Sequence, residues 1–288
     1  MPELPEVETV RRDLEPWVVG RRIVGLDVDA ATAPLLLGGV PVDEFRARLT
    51  GRRITALRRR GKYLCFELDD GASLLAHLRM TGRLVRRARG APPEPYERAR
   101  IVLGTGEELR WCDLRKFGTW QLTERPDDIT GRLGPEPLDP CFTADTLARS
   151  LAGRRAPVKS VLLNQRRIAG LGNIYADEAL FAAGIHPARP AGSLSRGEVE
   201  RLHAAIRSVL ARGVEHRGAS FRDYVDGEGA PGQEQMYVQV FRRTGKPCYR
   251  CGATISRIVL GGRSTHFCPR CQPAEPQRED DDRARTGP

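Results

Sequence analysis

Apolar residues change their spacing twice along this chain. Near the start, Val7, Val10 and Leu14 recur at helical intervals behind Pro2 and Pro5, which a helix's first turn tolerates. Between 22 and 125 the apolar runs become short and β-prone, as at 22–28, 63–68, 74–78, 99–103 and 120–122. Turn residues separate them at intervals that suit a β-sandwich. Residues 86–97, rich in Pro, Arg and Glu, are predicted to form an exposed loop, and 132–140, with three prolines, a linker. Beyond it the spacing turns helical over 144–152, 157–164, 174–183 and 195–213. Residues 226–234 carry three glycines and a proline and are predicted to form a mobile loop. Two β-prone runs, 254–260 and 263–267, flank Gly261-Gly262 and predict a hairpin. The polar stretch 273–288 is predicted to be disordered. No internal repeat is present.

Composition sharpens this picture. The chain has 288 residues, of which 40% are hydrophobic and 29% charged, enough for a sizeable core in more than one domain. No run of 18 uncharged apolar residues exists, which excludes an ordinary transmembrane helix. The first 16 residues hold five acids and no long apolar core, unlike a secretory signal, so a cytoplasmic protein is expected. Lys plus Arg is 47 against 37 Asp plus Glu, a formal charge of +10. Residues 273–288 carry five acids and three Arg, so the remainder carries +12. Such an excess favours a polyanionic partner such as nucleic acid. Only four cations are lysine (Lys62, Lys116, Lys159 and Lys246), which singles those positions out as places where a compact ammonium matters.

Seven cysteines argue against a disulfide framework. The last four, Cys248, Cys251, Cys268 and Cys271, have the spacing C-x2-C-x16-C-x2-C. Each pair can bend around one ion, and four thiolates close a tetrahedron with no open position, so one structural zinc is predicted. Cys65, Cys112 and Cys141 lie in or near apolar stretches and are expected in the core. Arg263 falls beside the hairpin turn, where a guanidinium can reach a phosphate. In Gly170-Leu-Gly-Asn173 the glycines permit close backbone approach, Asn173 can cap the next helix, and the helix start can bind phosphate.

Five stretches taken together carry a family resemblance. They are Met1-Pro2-Glu3-Leu4-Pro5-Glu6-Val7-Glu8-Thr9, His77-Leu-Arg-Met80-Thr-Gly82, Asp113-Leu-Arg115-Lys-Phe117-Gly118, Gly170-Leu-Gly-Asn173-Ile-Tyr175-Ala-Asp-Glu178 and the four-cysteine module with Gly-Gly-Arg263-Ser-Thr-His-Phe-Cys268. In this set and order the chain closely resembles the bacterial formamidopyrimidine-DNA glycosylases of the Fpg/Nei superfamily, from residue 1 to about 271. The resemblance implies an α+β multidomain fold. Its parts are an N-terminal β-sandwich with flanking helices (1–133), a helical helix-two-turn-helix domain (134–225), and a lesion-loop segment with a β-hairpin zinc finger (226–272).

The activity implied is that of a bifunctional DNA glycosylase and AP lyase acting on oxidised purines such as 8-oxoguanine and formamidopyrimidines. Its partner would be double-stranded DNA with oxidised bases or abasic sites, met by a monomer associated with the nucleoid. Removal of Met1 would leave Pro2 a secondary amine, partly neutral at working pH, that attacks the sugar C1′. By resemblance Glu3 is the proton donor at the sugar; Glu6, an acid at the helix start that the dipole favours, is expected to be structural. Lys62 donates a proton in β-elimination and meets a phosphate. Arg263 serves δ-elimination and clamps a phosphate. Met80, Arg115 and Phe117 fill the gap left by a flipped base, and His77, Arg154, Lys159 and Asn173 bind the strand. The loop near 218–237 covers the base.

The chain departs from the family at Tyr96-Glu97-Arg98, where a His-x-His pair is usual, and at Phe241-Arg242-Arg243, where Tyr-Gly-Arg is common. Arg115-Lys116-Phe117 replaces the usual Arg-Arg-Phe. Two other readings stand beside the first: an endonuclease VIII-like enzyme for oxidised pyrimidines, which the Met80, Arg115 and Phe117 set disfavours, and a non-catalytic zinc-containing DNA-binding protein, which the presence of Pro2, Glu3, Lys62 and Arg263 disfavours.

Overall fold

The structure, a computed structural model, describes residues 1–274; the 275–288 part of the predicted disordered tail lies outside the described residues. Helix α1 (Leu4–Val18) opens the chain. A strand-rich region follows: β1 (Ile23–Val28), two short helices α2 (Ala33–Leu36) and α3 (Val42–Leu49), then β2 (Ile54–Arg60), β3 (Tyr63–Leu68), β4 (Ser73–His77), β5 (Gly82–Ala88), β6 (Glu97–Leu103), β7 (Glu107–Asp113) and β8 (Thr119–Thr123). They form two four-stranded antiparallel sheets, ordered β1-β6-β7-β5 and β2-β3-β4-β8. Side chains of both sheets and of α1 share one core around Trp111, Trp120, Phe66 and Phe45. The predicted sandwich is therefore present, with β2, β5, β7, α2 and α3 added to the expected elements.

The predicted loop 86–97 is in fact strand to Ala88, and its remainder is organised from below. Arg110, fully buried in β7, pairs with Glu108 at 2.8 Å and donates to the carbonyls of Ala91 and Pro92. A buried guanidinium is stable only when its donors are spent in this way.

The predicted linker is a clamp. After α4 (Asp127–Thr130), Glu136 accepts from Arg59, Arg60 and the backbone N–H of Gly61, while Arg60 also donates to the carbonyls of Leu133 and Gly134. Gly61 and Lys62 make the two-residue turn between β2 and β3, so Lys62 sits in the turn rather than opening the strand. Helices α5 (Ala144–Leu151), α6 (Val158–Leu163), α7 (Asn173–Ala183) and α8 (Arg196–Glu215) match the predicted ranges within two residues and share a second core, which also takes in Leu4. Helix α8 starts with a capping box between Ser195 and Glu198.

Residues 226–234 carry little regular structure, yet they are tied down. Asp226 accepts the N–H groups of Glu228 and Ala230 and pairs with Arg217, which also grips Asp13 of α1. The chain closes with the predicted hairpin, β9 (Ser256–Leu260) and β10 (Arg263–Phe267), paired antiparallel about Gly261-Gly262. Both glycines have positive φ, as a tight turn of matching twist requires. Of the three other cysteines, Cys112 is buried and Cys65 half-buried, and burial pushes both thiols up to about 11. Cys141, expected in the core, is exposed because it falls in the turn before α5.

Gly118 has a packing reason to be glycine. A Cβ there would lie 2.2 Å from Trp111 Cζ2, in the middle of the sandwich core. Gly118→Ala is therefore expected to destabilise the chain by about 1–3 kcal/mol, the usual cost of overpacking. Chemical denaturation checks this; unchanged stability would show that Trp111 yields freely.

Candidate active site

The residue that precedes α1 does not face solvent. Glu3, 2% exposed, sends its carboxylate to the start of α7, where it accepts the N–H of Ile174 at 2.9 Å and of Tyr175 at 3.4 Å. Those donors have no partner within the helix, and the positive end of the helix dipole adds to the attraction. Only glycine permits this approach. A Cβ on Gly172 would meet Glu3 Cδ at 2.3 Å, and one on Gly170 would meet Leu4 Cβ at 2.7 Å. The backbone N–H of Leu4 also donates to Gly170 O at 3.0 Å. The Gly-Leu-Gly-Asn turn thus makes room for the chain's own first residues. The expected phosphate site at this helix start is taken by Glu3, and Asn173 is the first helical residue rather than the cap.

Glu6 carries the docking further. One oxygen accepts the N–H of Glu3 at 2.8 Å; the other accepts the Tyr175 hydroxyl and the Ala219 N–H, each at 2.8 Å. This joins α1, α7 and the loop after α8 through one buried carboxyl. Burial, and then the neighbouring Glu3 charge, push its pKa up to about 7.

Around the end of α1 opens a cavity of about 600 Å³. Met1, Pro2, Glu3, Lys62, His77, Met80, Arg115, Asn173 and Arg263 all line it. Residues from both ends of the sequence and its middle thus meet at one place. Six cations reach the walls (Lys62, Arg79, Arg115, Arg222, Arg242 and Arg263) against the carboxylates of Glu3 and Asp223. Such a lining suits a polyanion. Lys62 is 6% exposed, and burial holds its ammonium below the ordinary lysine range; Arg263 adds to this, and Glu3 and Glu6 oppose it. An ammonium so destabilised gives up its proton more readily. His77 accepts the Arg79 N–H on Nδ1 at 3.0 Å and packs edge-on to Tyr63 at 4.6 Å. Burial, with Arg79 and Lys62 nearby, pushes it down to about 3, so it is neutral and its free donor is Nε2–H.

Two turns present Met80, which lines the cavity, and Phe117, which does not line it but lies against Arg115, and Asp113 folds both turns. It accepts the Thr81 hydroxyl and the backbone N–H groups of Arg115 and Gly118. Arg115 lies over the Phe117 ring at 4.7 Å and reaches Met80 Sδ at 3.3 Å. Met80 and Phe117 are 37% and 51% exposed, unusual for such side chains beside a cationic cavity, and fit for wedging between bases. Tyr96-Glu97-Arg98 buttresses this unit: Asp113 N–H donates to Tyr96 O, and Arg98 donates to Asp113 O. Asp113 carried no expected role, although it stands inside one of the five stretches.

Two of the expected strand contacts lie elsewhere. Arg154 is exposed in the turn between α5 and α6, away from the cavity. Lys159 is fully buried and cannot touch DNA. Its Nζ donates to Ser264 O at 3.0 Å and Thr265 Oγ1 at 2.9 Å, and lies 2.6 Å from Asp177 Oδ1, an ion pair without hydrogen-bond alignment. Asp177 accepts from the His266 backbone at 2.9 Å and ring at 3.0 Å, and Asn173 donates to Ser264 O at 3.0 Å. Lys159 therefore anchors β10, and with it Arg263, to α7. Glu178 of α7 accepts the N–H groups of Gln239, Val240 and Phe241. Nothing in the spacing of Asp177 or Glu178 separates such anchors from surface acids.

The four Sγ atoms of Cys248, Cys251, Cys268 and Cys271 lie within 4.8 Å of one another, with two pairs at 3.9 and 3.5 Å. A tetrahedral zinc with bonds of about 2.3 Å separates its sulfurs by about 3.8 Å, close to the spacing of these four, so the set suits the ion. Backbone N–H groups of Arg250 and Cys271 point at Cys248 and Cys268 sulfurs at 3.4 Å each, favouring thiolates.

Comparison with known proteins agrees along the chain. Family models match for the formamidopyrimidine-DNA glycosylase N-terminal domain over 1–120, the formamidopyrimidine-DNA glycosylase H2TH domain over 133–225, and the zinc finger found in FPG and IleRS over 245–274. A formamidopyrimidine-DNA glycosylase of Symbiobacterium thermophilum is 50% identical over 277 residues, which is 95% of this chain and 90% of that one. The Lactococcus lactis Fpg (MutM) in complex with Fapy-dG DNA superposes with a TM-score of 0.85 at 38% identity, covering 94% of this chain and 100% of the other. MutM in complex with carbocyclic 8-oxo-G DNA gives 0.86 at 39% identity, with 94% and 100% coverage. Among the described residues no helix is long and apolar enough to cross a membrane.

Glu6 makes stability depend on pH in a defined direction. Its folded pKa of about 7 lies above its ordinary 4.5, so the proton favours the folded state. The contribution is complete below about pH 4.5 and is lost as pH rises to about 7. Relative to Glu6→Gln, which has no proton to lose, the wild-type chain is expected to lose on the order of 3 kcal/mol across that window. Denaturation at a series of pH values measures the difference; a flat difference would contradict the assignment.

Proposed function

We propose that in this chain, which belongs to the formamidopyrimidine-DNA glycosylase family, the amine of Pro2 is the nucleophile that opens the sugar of a damaged nucleotide. The chain is a DNA glycosylase of oxidised purines, with the AP lyase activity of its family and one structural zinc. The observation that carries the residue assignment is the meeting of Pro2, Glu3, Lys62 and Arg263 in one cationic cavity, although 261 positions separate the first from the last. Met1 covers Pro2 and is half-exposed, so its removal frees a secondary amine already inside the cavity.

The target nucleotide leaves the duplex, because C1′ is out of reach within the stack. Met80 and Phe117 fill the gap, and Arg115 offers donors to the orphaned opposite base. Pro2 nitrogen then bonds to C1′. The bonds from C1′ to the base and to O4′ break, leaving an iminium; one proton comes from the amine and one from an acid. Glu3, held at the start of α7, takes the amine proton and passes it to O4′. The iminium is an electron sink. Loss of a C2′ proton sends an electron pair towards it and expels the 3′ phosphate; loss of the C4′ proton then expels the 5′ phosphate. Lys62, with its weakened hold on a proton, is the donor to the first leaving group. Arg263 stabilises the leaving phosphate by the charge of its guanidinium. The zinc supplies a crosslink: it ties the ends of the hairpin that carries Arg263.

Borohydride reduction in the presence of an 8-oxoguanine:C duplex is expected to trap a covalent complex. Blocking the amine with an N-terminal tag should abolish it, and Lys62→Ala should slow strand cleavage by about 10²-fold. Trapping that persists with the blocked amine would remove Pro2 from the mechanism. Activity on thymine-glycol duplexes alone would transfer the chain to pyrimidine lesions.

A further inference from the structure

Arg242 adopts a backbone conformation that an L side chain rarely takes, with φ +58°. Glycine is the residue such a position favours, and strain of this kind collects at functional sites. The conformation is imposed from the N-terminal side, where Glu178 grips the N–H groups of Gln239, Val240 and Phe241 at 2.7, 3.0 and 2.9 Å. Its neighbour Arg243 is consumed structurally: it is buried, donates to the carbonyls of Gln239 and Pro247, and lies 3.4 Å over the Tyr249 ring. Arg242 is exposed, lines the cavity, and makes no hydrogen bond or ion pair among the described residues. Its guanidinium rests 5.0 Å over the ring of Phe221, which packs in turn on Phe241 at 5.2 Å.

A guanidinium resting over an aromatic ring keeps its N–H donors free for another partner. A neutral base oxygen would use one donor and leave the charge uncompensated. A phosphodiester takes two parallel N–H groups and the charge together. We propose that Arg242 is a further DNA-binding residue, holding a backbone phosphate of the strand that enters the cavity and pressing Phe221 of the loop 218–225 into place beside the flipped nucleotide. This rests on the reading that DNA occupies the cavity.

The test uses the full-length, zinc-loaded chain and a duplex carrying a tetrahydrofuran abasic analogue, with affinity followed against KCl concentration. Arg242→Gly is expected to melt at the same temperature as the wild type or higher, since glycine relieves the backbone. It should bind about tenfold more weakly near physiological salt, because a charge-assisted contact is lost. The slope of log affinity against log salt should fall by about 0.9, the signature of one phosphate. Arg242→Lys should keep most of that slope. The ratio of 8-oxoguanine to formamidopyrimidine excision should stay unchanged in both variants. An unchanged slope in Arg242→Gly overturns the proposal, as does a shifted excision ratio at constant slope, which would assign the contact to the base. Lower melting temperature with an unchanged slope overturns it as well and marks a scaffold role. Failure of the wild-type chain to bind the duplex contradicts the reading of the cavity itself.

Discussion

A carboxylate seated on the bare start of a helix organises this molecule. Glu3 is the N-cap residue just before α1, yet its carboxylate's partners are the N–H groups of Ile174 and Tyr175, more than 170 positions away. The contact exists because Gly172 has no side chain to hold the two segments apart. It fixes the terminus of the chain to the helical domain, and so fixes where Pro2 can be. A flexible terminus would cost ordering entropy at each encounter with substrate. Here the fold has already met that cost.

Helix α7 distributes the same constraint. Its N-terminus holds Glu3, its Tyr175 hydroxyl holds Glu6, its Asp177 holds Lys159 and the β10 backbone, and its Glu178 holds 239–241. Each of these is a buried polar group, expensive unless satisfied. Together they set the relative positions of the sandwich, the cavity loop and the zinc hairpin, which contribute Lys62, Phe221 and Arg263 respectively. Glu136 closes the ring from the other side by gripping the turn that carries Lys62. The cavity walls are left with more cations than anions, which suits them to accept phosphate as charge moves.

Much of this was legible in the residues. The helices between 144 and 215 have clear apolar spacing, and the Gly261-Gly262 turn and the cysteine spacing announce the hairpin and its metal. The strands β5 and β7 were not legible, because Arg83, Arg86, Arg87 and the buried Arg110 and Glu108 break the alternation that marks a strand. Lys159 is hidden for a related reason: a cation in a basic protein suggests DNA, and only the packing shows its charge neutralised internally by Asp177. Gly170 and Gly172 do permit close approach, but what approaches is Leu4 and Glu3 of the same chain. Sequence spacing carries no information about which distant segment fills such a gap. The roles of Asp113, Glu136 and Glu178 depend on tertiary contacts in the same way.

The most direct test of the docked terminus is borohydride trapping by Gly172→Ala, with zinc content and melting temperature confirming that the variant is folded. A methyl at 172 occupies the space of the Glu3 carboxyl and must displace it. The folded variant is expected to lose the trapped complex with abasic DNA, with a deficit of at least about 10²-fold in trapping rate. Trapping at the wild-type rate would contradict it, because the amine would then need no such anchorage.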